Sequence, residues 1–430
     1  MKVKVELLSP AGNFEKMKYA LAYGADAVYA GIPRYSLRAR ENDFTTELLA
    51  GAIEYCHQSD RKIYLTLNIF PHNRKIEAVK TSLTWLAKKR PDAIIISDPG
   101  VILLAKELCP QIPVHLSTQV NTLNWVSVKF WKEIGVDRII LSRELAISEI
   151  AEIRQKVPDI ELECFVHGAV CVAYSGRCLL SSYFNFRDPN QGICTNSCRW
   201  LYRLYQDQPD PPPPSPQDYQ PLHGKYYLEE DERPGQFMPI DEDEHGTYIM
   251  NAKDLCAVGL LDQLAAAGVN SFKIEGRSKS VYYVSVTTRA YRRAIDNLLA
   301  GRPYDHAVEQ ELFSVANREY SSGFLESNPR AAGENYAESQ PANCTHQYCG
   351  IVRNADPCGN LMQVSVRNRI CCGEELEIIT PQKNQVFKVE AIYSLDGAKV
   401  EMAHGGGRDV RIPCSNPPGE YALLRRKLQS

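Results

Sequence analysis

Residues 167–200 read "HGAVCVAYSGRCLLSSYFNFRDPNQGICTNSCRW". The stretch holds Cys171, Cys178, Cys194 and Cys198, separated by six, fifteen and three residues, with His167 four positions before the first. A thiolate beside an imidazole is a nucleophile with its base. Four thiolates together are a cage for zinc or for an iron–sulfur cluster. Structural zinc sites usually show two close pairs, and here only Cys194 and Cys198 are close. Iron–sulfur clusters accept more varied spacing, so the intervals fit a cluster better. N–H groups of the flanking Gly176 and Gly192 would help stabilise charge on sulfur. The nucleophile reading needs one thiol, not four, and needs His167 within hydrogen-bond reach. Two plainer readings stand beside these. The thiols are core filler, as expected of Cys164 on the preceding strand, and His167 only bonds a backbone carbonyl. Cluster, zinc site, nucleophile and inert packing are the alternatives that spacing leaves.

Something must hold this segment, and the first 170 residues suggest what. Short β-branched runs alternate with segments of helical period: "VKVELLSPAG" then "NFEKMKYALAYGA", "DAVYAGI" then "TTELLAGAIEYCHQSD", and so on to a seventh strand, "IELECFVHG". Later, "KDLCAVGLLDQLAAAGV" reads as a helix, "NSFKIEGR" as an eighth strand and "SVYYVSVTTRAYRRAIDNLLAG" as a closing helix. Alternating strands and helices imply parallel βαβ units, and eight strands imply an α/β fold of the (β/α)8 TIM-barrel type. The barrel is expected over 1–305, with the Cys-rich segment 164–198 and a Pro-rich insertion 206–248 between strands seven and eight. A connecting segment, 306–339, leads to a small C-terminal β-barrel domain at 340–430. No Gly-x-Gly-x-x-Gly follows the first strand, so a Rossmann domain has little support.

Active sites of such barrels sit where strands end. The strand ends supply Ser9, Pro10, Gly31, Asn68, Asp98, Ser117 to Gln119, Arg143, Glu144, His167, Gly168 and Lys273 to Arg277. Ser9, Asp98 and Asn121 can also be read as helix caps. The polyproline stretch near 209–221 should be extended, and the acidic runs around Glu229 and Asp241 are expected to be solvated loop.

The 430 residues are 44% apolar with a net charge of −3, which describes a soluble globular protein and argues against a bulk polyanion binder. A local basic patch still allows RNA. "MKVKVELLSPAG" lacks an apolar signal-peptide core, and no apolar run is long enough to span a membrane. A cytoplasmic location is expected. There the fourteen cysteines should stay reduced, with Cys56 and Cys109 as small core residues. Nothing fixes the oligomeric state.

The cysteine segment resembles the signature of peptidase family U32: Glu-x-Phe-x2-Gly-(Ser/Ala)-aliphatic-Cys-x4-Gly-x-Cys-x-aliphatic-Ser. Glu163, Phe165, Gly168, Ala169, Val170, Cys171, Gly176, Cys178, Leu180 and Ser181 match every position. "RDPNQGICTNSCRW", "NAKDLC", "FKIEGR" and the opening "ELLSPAGNFEKMKYALAYGADAVYAG" extend the resemblance across the barrel. The family name implies proteolysis, including collagenase-like activity. Several branches are instead hydroxylation proteins with a 4Fe–4S cluster, acting on an rRNA cytidine, in ubiquinone synthesis, or on the wobble uridine of tRNA. In length this chain is most similar to the tRNA branch. That implies 5-hydroxyuridine formation, with prephenate, a small dicarboxylate, as hydroxyl donor.

The resemblance implies Cys171, Cys178 and Cys194 as cluster ligands. Cys198 is the fourth, or Cys256 in its place, since branches differ in the last ligand. Arg143, Lys273 and Arg277 become candidates for the donor's carboxylates, or else ordinary rim salt bridges. Glu144 and Glu275 would balance charge or relay protons. Arg34, Arg38 and Arg40, with Tyr35 between them, would meet RNA, or form a solvated loop. The rival is a cysteine peptidase using Cys171 or Cys178 with His167. A third class is a scaffold that binds a partner through the Pro-rich insertion.

Overall fold

A computed structural model describes residues 5–33, 35–36, 43–171, 173–191, 194–195, 197–199, 226–229, 237–243, 246–248, 252–327, 344–356, 360–406 and 408–428. Eight parallel strands form the first domain: β1 (Glu6–Ala11), β2 (Ala27–Gly31), β3 (Lys62–Leu67), β4 (Ala93–Ile96), β5 (Val114–Leu116), β6 (Arg138–Ile140), β7 (Glu161–Gly168) and β8 (Ser271–Ile274). They pair in sequence, and β8 closes the ring by pairing with both β1 and β7. This is the (β/α)8 barrel read from the alternation.

Each strand sorts its residues by face, as a two-residue period requires. Leu7, Val28, Ile63, Ile94, Leu116, Ile139, Leu162 and Phe272 face the helices and join the main core. Leu8, Ala27, Tyr29, Tyr64, Ala93, Ile95 and Ile140 form a separate cluster inside the barrel, with Phe165 packed against it. Caps fix where helices begin and so where strands must end. The side chains of Asn13, Thr45, Asp98, Asn124 and Ser280 each accept a backbone N–H of the first turn. Asp98 caps as expected; Ser9 does not. Ser9 is buried against Thr288 at 2.9 Å, and Asn13 caps the first helix instead. Asn121 ends a 3-10 turn in a left-handed conformation, and Asn124 is the cap of the next helix.

Two readings of the long β7–β8 connection are corrected. "KDLC" is not helical: Asp254–Cys256 is a strand, antiparallel to the end of β7, and the helix begins only at Leu261. The open edge at the end of β7 offers unpaired backbone groups, and pairing there outweighs helical propensity. Of the acidic runs, Glu229 and Asp241 to Asp243 lie in strands, not loop, and the rest falls outside the described residues: Tyr226–Glu229, Phe237–Asp243 and Gly246–Tyr248 pair as an antiparallel sheet. The polyproline stretch, Arg34, Arg38, Arg40 and Gly192 lie outside the described residues. Helix His306–Leu312 lies in the connecting segment.

The C-terminal domain is an eight-stranded antiparallel sheet around its own core of residues such as Cys349, Met362, Leu376 and Ile412. It is docked on the barrel. Ile351, Ile379 and Leu423 enter the barrel's core cluster. Tyr282 stacks on Tyr348 at 5.2 Å, and Arg425 binds Glu311 at 3.0 Å. No helix among the described residues is long and apolar enough to cross a membrane.

Candidate active site

The inward positions of β1, β6, β7 and β8 carry charge, and the charges form a ladder through the barrel. Arg138 donates from Nη1 to Glu6 at 2.6 Å and to Glu163 at 3.1 Å, and from Nε to Glu161 at 2.8 Å. Lys273 Nζ donates to the other oxygen of Glu163 at 2.8 Å. Tyr64 and Ser271 donate to Glu6 at 2.7 and 2.9 Å. The side chain of Glu163 is 0% exposed and those of Arg138 and Lys273 4%. Burial raises the Glu6 carboxyl, but Arg138 and the hydrogen bonds from Tyr64 and Ser271 together outweigh it and hold the group below the usual carboxylate range. Burial pulls the Lys273 ammonium below the usual lysine range, and Glu163 opposes that pull. Isolated, either charge would cost several kcal/mol to bury; paired, both are tolerated.

Above the ladder the barrel opens into a cavity of about 150 Å³. Lys273 lines it, its Nζ 4.5 Å from the centre of the Tyr29 ring and 5.2 Å from that of Phe165. Arg277 is positioned by Thr66, to which Nη1 donates at 2.9 Å. On another wall, Gln119 Oε1 accepts from Ser97 and Ser117 at 3.0 and 3.2 Å. Its Nε2 is buried with no hydrogen-bond partner among the described residues. The cavity thus offers two cations and a fixed amide, a set suited to a small anion with further acceptor oxygens. Glu275 borders it too, and its backbone N–H donates to the His167 carbonyl at 2.9 Å.

The remaining wall is the cysteine segment itself. Ala169, Cys171, Ser175 and Gly176 line the cavity. Arg143 reaches over Phe165 and donates to the Ala169 carbonyl at 2.8 Å and to Ser175 Oγ at 2.9 Å. Beyond Cys178 the chain turns into the helix Leu180–Asn185 and folds back. The Thr195 N–H donates to Ser181 Oγ at 3.1 Å, and that oxygen lies 3.7 Å from Cys194 Sγ. Ser197–Arg199, which carries Cys198, is a 3-10 turn. Cys171 and Cys194 are exposed, Cys178 and Cys198 half-buried. Glu144 lies apart from the cavity. It accepts from Ser142 and borders an outer cleft of about 460 Å³, shared with Cys171, Tyr174 and Phe324.

Comparison with known proteins bears on what this rim belongs to. The model of peptidase family U32 matches residues 12–335, and that of the family's C-terminal domain matches 344–425. The chain belongs to peptidase family U32. "tRNA hydroxylation protein P" of Escherichia coli (strain K12) is 45% identical over 98% of this chain and 97% of its own length. The protein of the same name from Haemophilus influenzae is 45% identical over 99% and 96%. A "Collagenase" of Porphyromonas gingivalis is 30% identical over 95% and 94%.

In this U32 chain the signature histidine segment does not put His167 at the rim. Lys273 pairs with Phe165 but Ile274 with His167, so β7 holds one extra residue, a β-bulge. The bulge turns His167 to the helix side, the side of Ile274. There the ring packs among Tyr283, Tyr291 and Tyr320 at 5.2 to 5.9 Å. Nδ1 lies 3.3 Å from the Tyr291 hydroxyl, and Nε2 is buried without a partner among the described residues. Neither nitrogen bonds a thiol. Cys256 is on the same side, its Sγ 3.9 Å from the Tyr291 hydroxyl. Burial pushes its thiol up to about 11.

Burial pushes the His167 imidazole down to about 3; Asp254 opposes the fall and Lys279 adds to it. Unfolded histidine takes up its proton near pH 6.5. Between pH 6.5 and about 3 the unfolded chain therefore binds one more proton here, and stability falls as pH falls. His167→Phe is expected to remove this loss, which amounts to roughly 3–5 kcal/mol across the window. Urea unfolding at pH 7 and pH 5 checks it: the variant should show a smaller drop than wild type, and equal drops would refute it.

The structure brings together Lys273, Arg277, Glu275, Arg143 and Cys171, and does not bring in His167, Glu144 or Cys256. Glu163, Tyr29, Thr66 and Phe165 were not singled out as site residues by the sequence, whereas Gln119 was read at the rim as a strand-end residue. The available signal for one of them, Glu163, was charge at an inward position of an apolar strand, matched by Lys273 on β8.

Proposed function

We propose that this chain is an iron–sulfur tRNA hydroxylase that converts the wobble uridine to 5-hydroxyuridine, with prephenate as hydroxyl donor. One observation carries the reading: Cys171 lines the same cavity as the cations Lys273 and Arg277. A soft sulfur ligand and a receptor for a small carboxylate thus share one wall-to-wall space. The names and near full-length coverage of the bacterial relatives support tRNA as the substrate.

By chemistry the donor set suits the proposed cluster, although no three such side chains among the described residues are gathered closely enough to hold a metal as they stand. Thiols at Cys171, Cys178, Cys194 and Cys198 lie on one folded segment, reachable from solvent, and four thiolates are the usual ligands of a 4Fe–4S centre. Cys198 fits the fourth place better than Cys256, whose thiol is buried on the helix side. Bound there, the cluster would supply redox or Lewis-acid chemistry at the cavity wall.

The chain's own residues have distinct parts. Lys273 and Arg277 hold the donor's carboxylates, Arg277 in the plane set by Thr66. Tyr29 and Phe165 give the donor apolar walls and keep water from the cations. The Gln119 amide fixes a further oxygen. The uridine enters from the face where Cys171 meets solvent.

The test is nucleoside mass spectrometry of tRNA from cells lacking the gene and cells given it back. 5-Hydroxyuridine and its derivatives should vanish in the first and return in the second. Unchanged levels on deletion would refute the proposal. The peptidase reading is not favoured, because neither His167 nitrogen bonds a cysteine.

A further inference from the structure

Arg143 lies at the rim just past the end of β6 and was expected to bind the donor. Its guanidinium has a different set of partners. Nη1 donates to the Ala169 carbonyl at 2.8 Å, and Nη2 to Ser175 Oγ at 2.9 Å. These two acceptors flank Cys171. The planar fork of arginine can serve both at once, where an ammonium is a single point of attachment. The plane is held in turn by the Phe165 ring, 5.1 Å below it.

A second clamp acts on the same loop from β5. Asn121 takes a left-handed backbone conformation, with φ of 55°. Its Nδ2 donates to the Ser175 carbonyl at 3.0 Å, and its Oδ1 accepts from Arg177 Nε at 3.0 Å. The loop also rests directly on the barrel. Gly176 has φ of 73°, and a Cβ there would sit 3.0 Å from Gln119 Cβ and 3.3 Å from its Cγ. A side chain at 176 would lift the loop from Gln119. Three residues just past strands β5 and β6, Gln119, Asn121 and Arg143, thus hold the loop at Ala169 and at Ser175 to Arg177.

We propose that Arg143, together with Asn121, is a positioning residue that ties the loop between Cys171 and Cys178 to the barrel rim and so sets where its thiols stand. The proposal rests on the cluster reading above. It assigns Arg143 to the cysteine loop and leaves carboxylate binding to Lys273 and Arg277. It also explains why the loop sits on Gln119: the fixed amide and Cys171 are set by the same contacts. Preordering of this kind is how outer contacts tune a metal site, and their loss typically costs about 10- to 100-fold in metal affinity.

The test uses the full chain in two arms. In the first, metal-free protein is followed by amide hydrogen exchange over residues 169–178. Arg143→Ala and Asn121→Gly should exchange about tenfold faster there and like wild type in β1 to β4. Glycine is chosen at 121 because it keeps the left-handed backbone and deletes only the side chain. In the second, each protein is reconstituted anaerobically with ferrous iron and sulfide, then challenged with an iron chelator. Both variants should lose iron about tenfold faster than wild type, and Arg143→Lys should fall between. If Arg143→Ala does not fold, Ser175→Ala removes one of the two contacts and should give a smaller change of the same sign. Wild-type exchange and wild-type iron loss in the variants would overturn the proposal. A wild type that takes up no iron would refute the cluster reading, and the exchange arm would still decide whether Arg143 holds the loop.

Discussion

Cys171→Ser is expected to abolish wobble-uridine hydroxylation and to leave a colourless protein, while the fold is kept. Its thiol is exposed and makes no core contact, so the change deletes no packing and should shift the melting temperature little. The cost falls on the metal. A serine hydroxyl is a hard oxygen donor with a far higher pKa than a thiol, and iron–sulfur clusters are held by thiolates. Iron should fall from about four per chain in anaerobically purified wild type to well under one. The same result is expected for Cys178→Ser and Cys194→Ser. Cys256→Ser is the informative contrast. Its sulfur lies beside Tyr291 on the helix side of β7, and the variant should keep its iron. Iron lost from Cys256→Ser but kept in Cys198→Ser would reverse the assignment of the fourth ligand. Iron kept in Cys171→Ser would remove the cluster from the rim altogether.

The barrel was legible because its strands obey one rule, apolar residues outward and a mixed set inward, and because the helices between them are periodic and capped. The rim followed, since strand ends are where such barrels place chemistry. Lys273, Arg277 and Cys171 meet there. His167 was misplaced for a local reason. Alternation from Glu163 and Phe165 points it into the barrel, and only the pairing of β7 with β8 shows the extra residue that turns it out. A bulge leaves no mark in a single sequence. "KDLC" misled in the same way: its strand exists because β7 has an edge to offer, a tertiary fact. Arg143 was read correctly as a rim residue, but not its partners, because hydrogen bonds to a backbone carbonyl have no sequence signature. Glu163 was visible as part of a motif, yet its role depends on an arginine 25 residues earlier and a lysine 110 residues later.

That role supports the last expectation, the largest in stability. Glu163→Ala should destabilise the protein by roughly 3–5 kcal/mol, the cost of leaving buried charge without its partner. Two cations lose by it, since Lys273 and Arg138 each bond one oxygen of Glu163. Arg138 keeps Glu6 and Glu161, and Lys273 keeps only its place over the Tyr29 and Phe165 rings. The unpaired charge should therefore reside mainly on Lys273. It follows that removing the ammonium as well should restore stability. Lys273→Met in the Glu163→Leu background is expected to be more stable than Glu163→Leu alone, by about 1–3 kcal/mol, a strongly non-additive cycle. Urea unfolding of the four proteins measures it. Simple additivity would mean that the ladder is not a coupled unit. The restored double variant also separates folding from function. It should keep its iron, because no cysteine contact changes, yet bind the donor poorly, because the cavity has lost one of its two cations. Donor affinity equal to wild type in that protein would take Lys273 out of the binding site and leave it as a purely structural partner of Glu163.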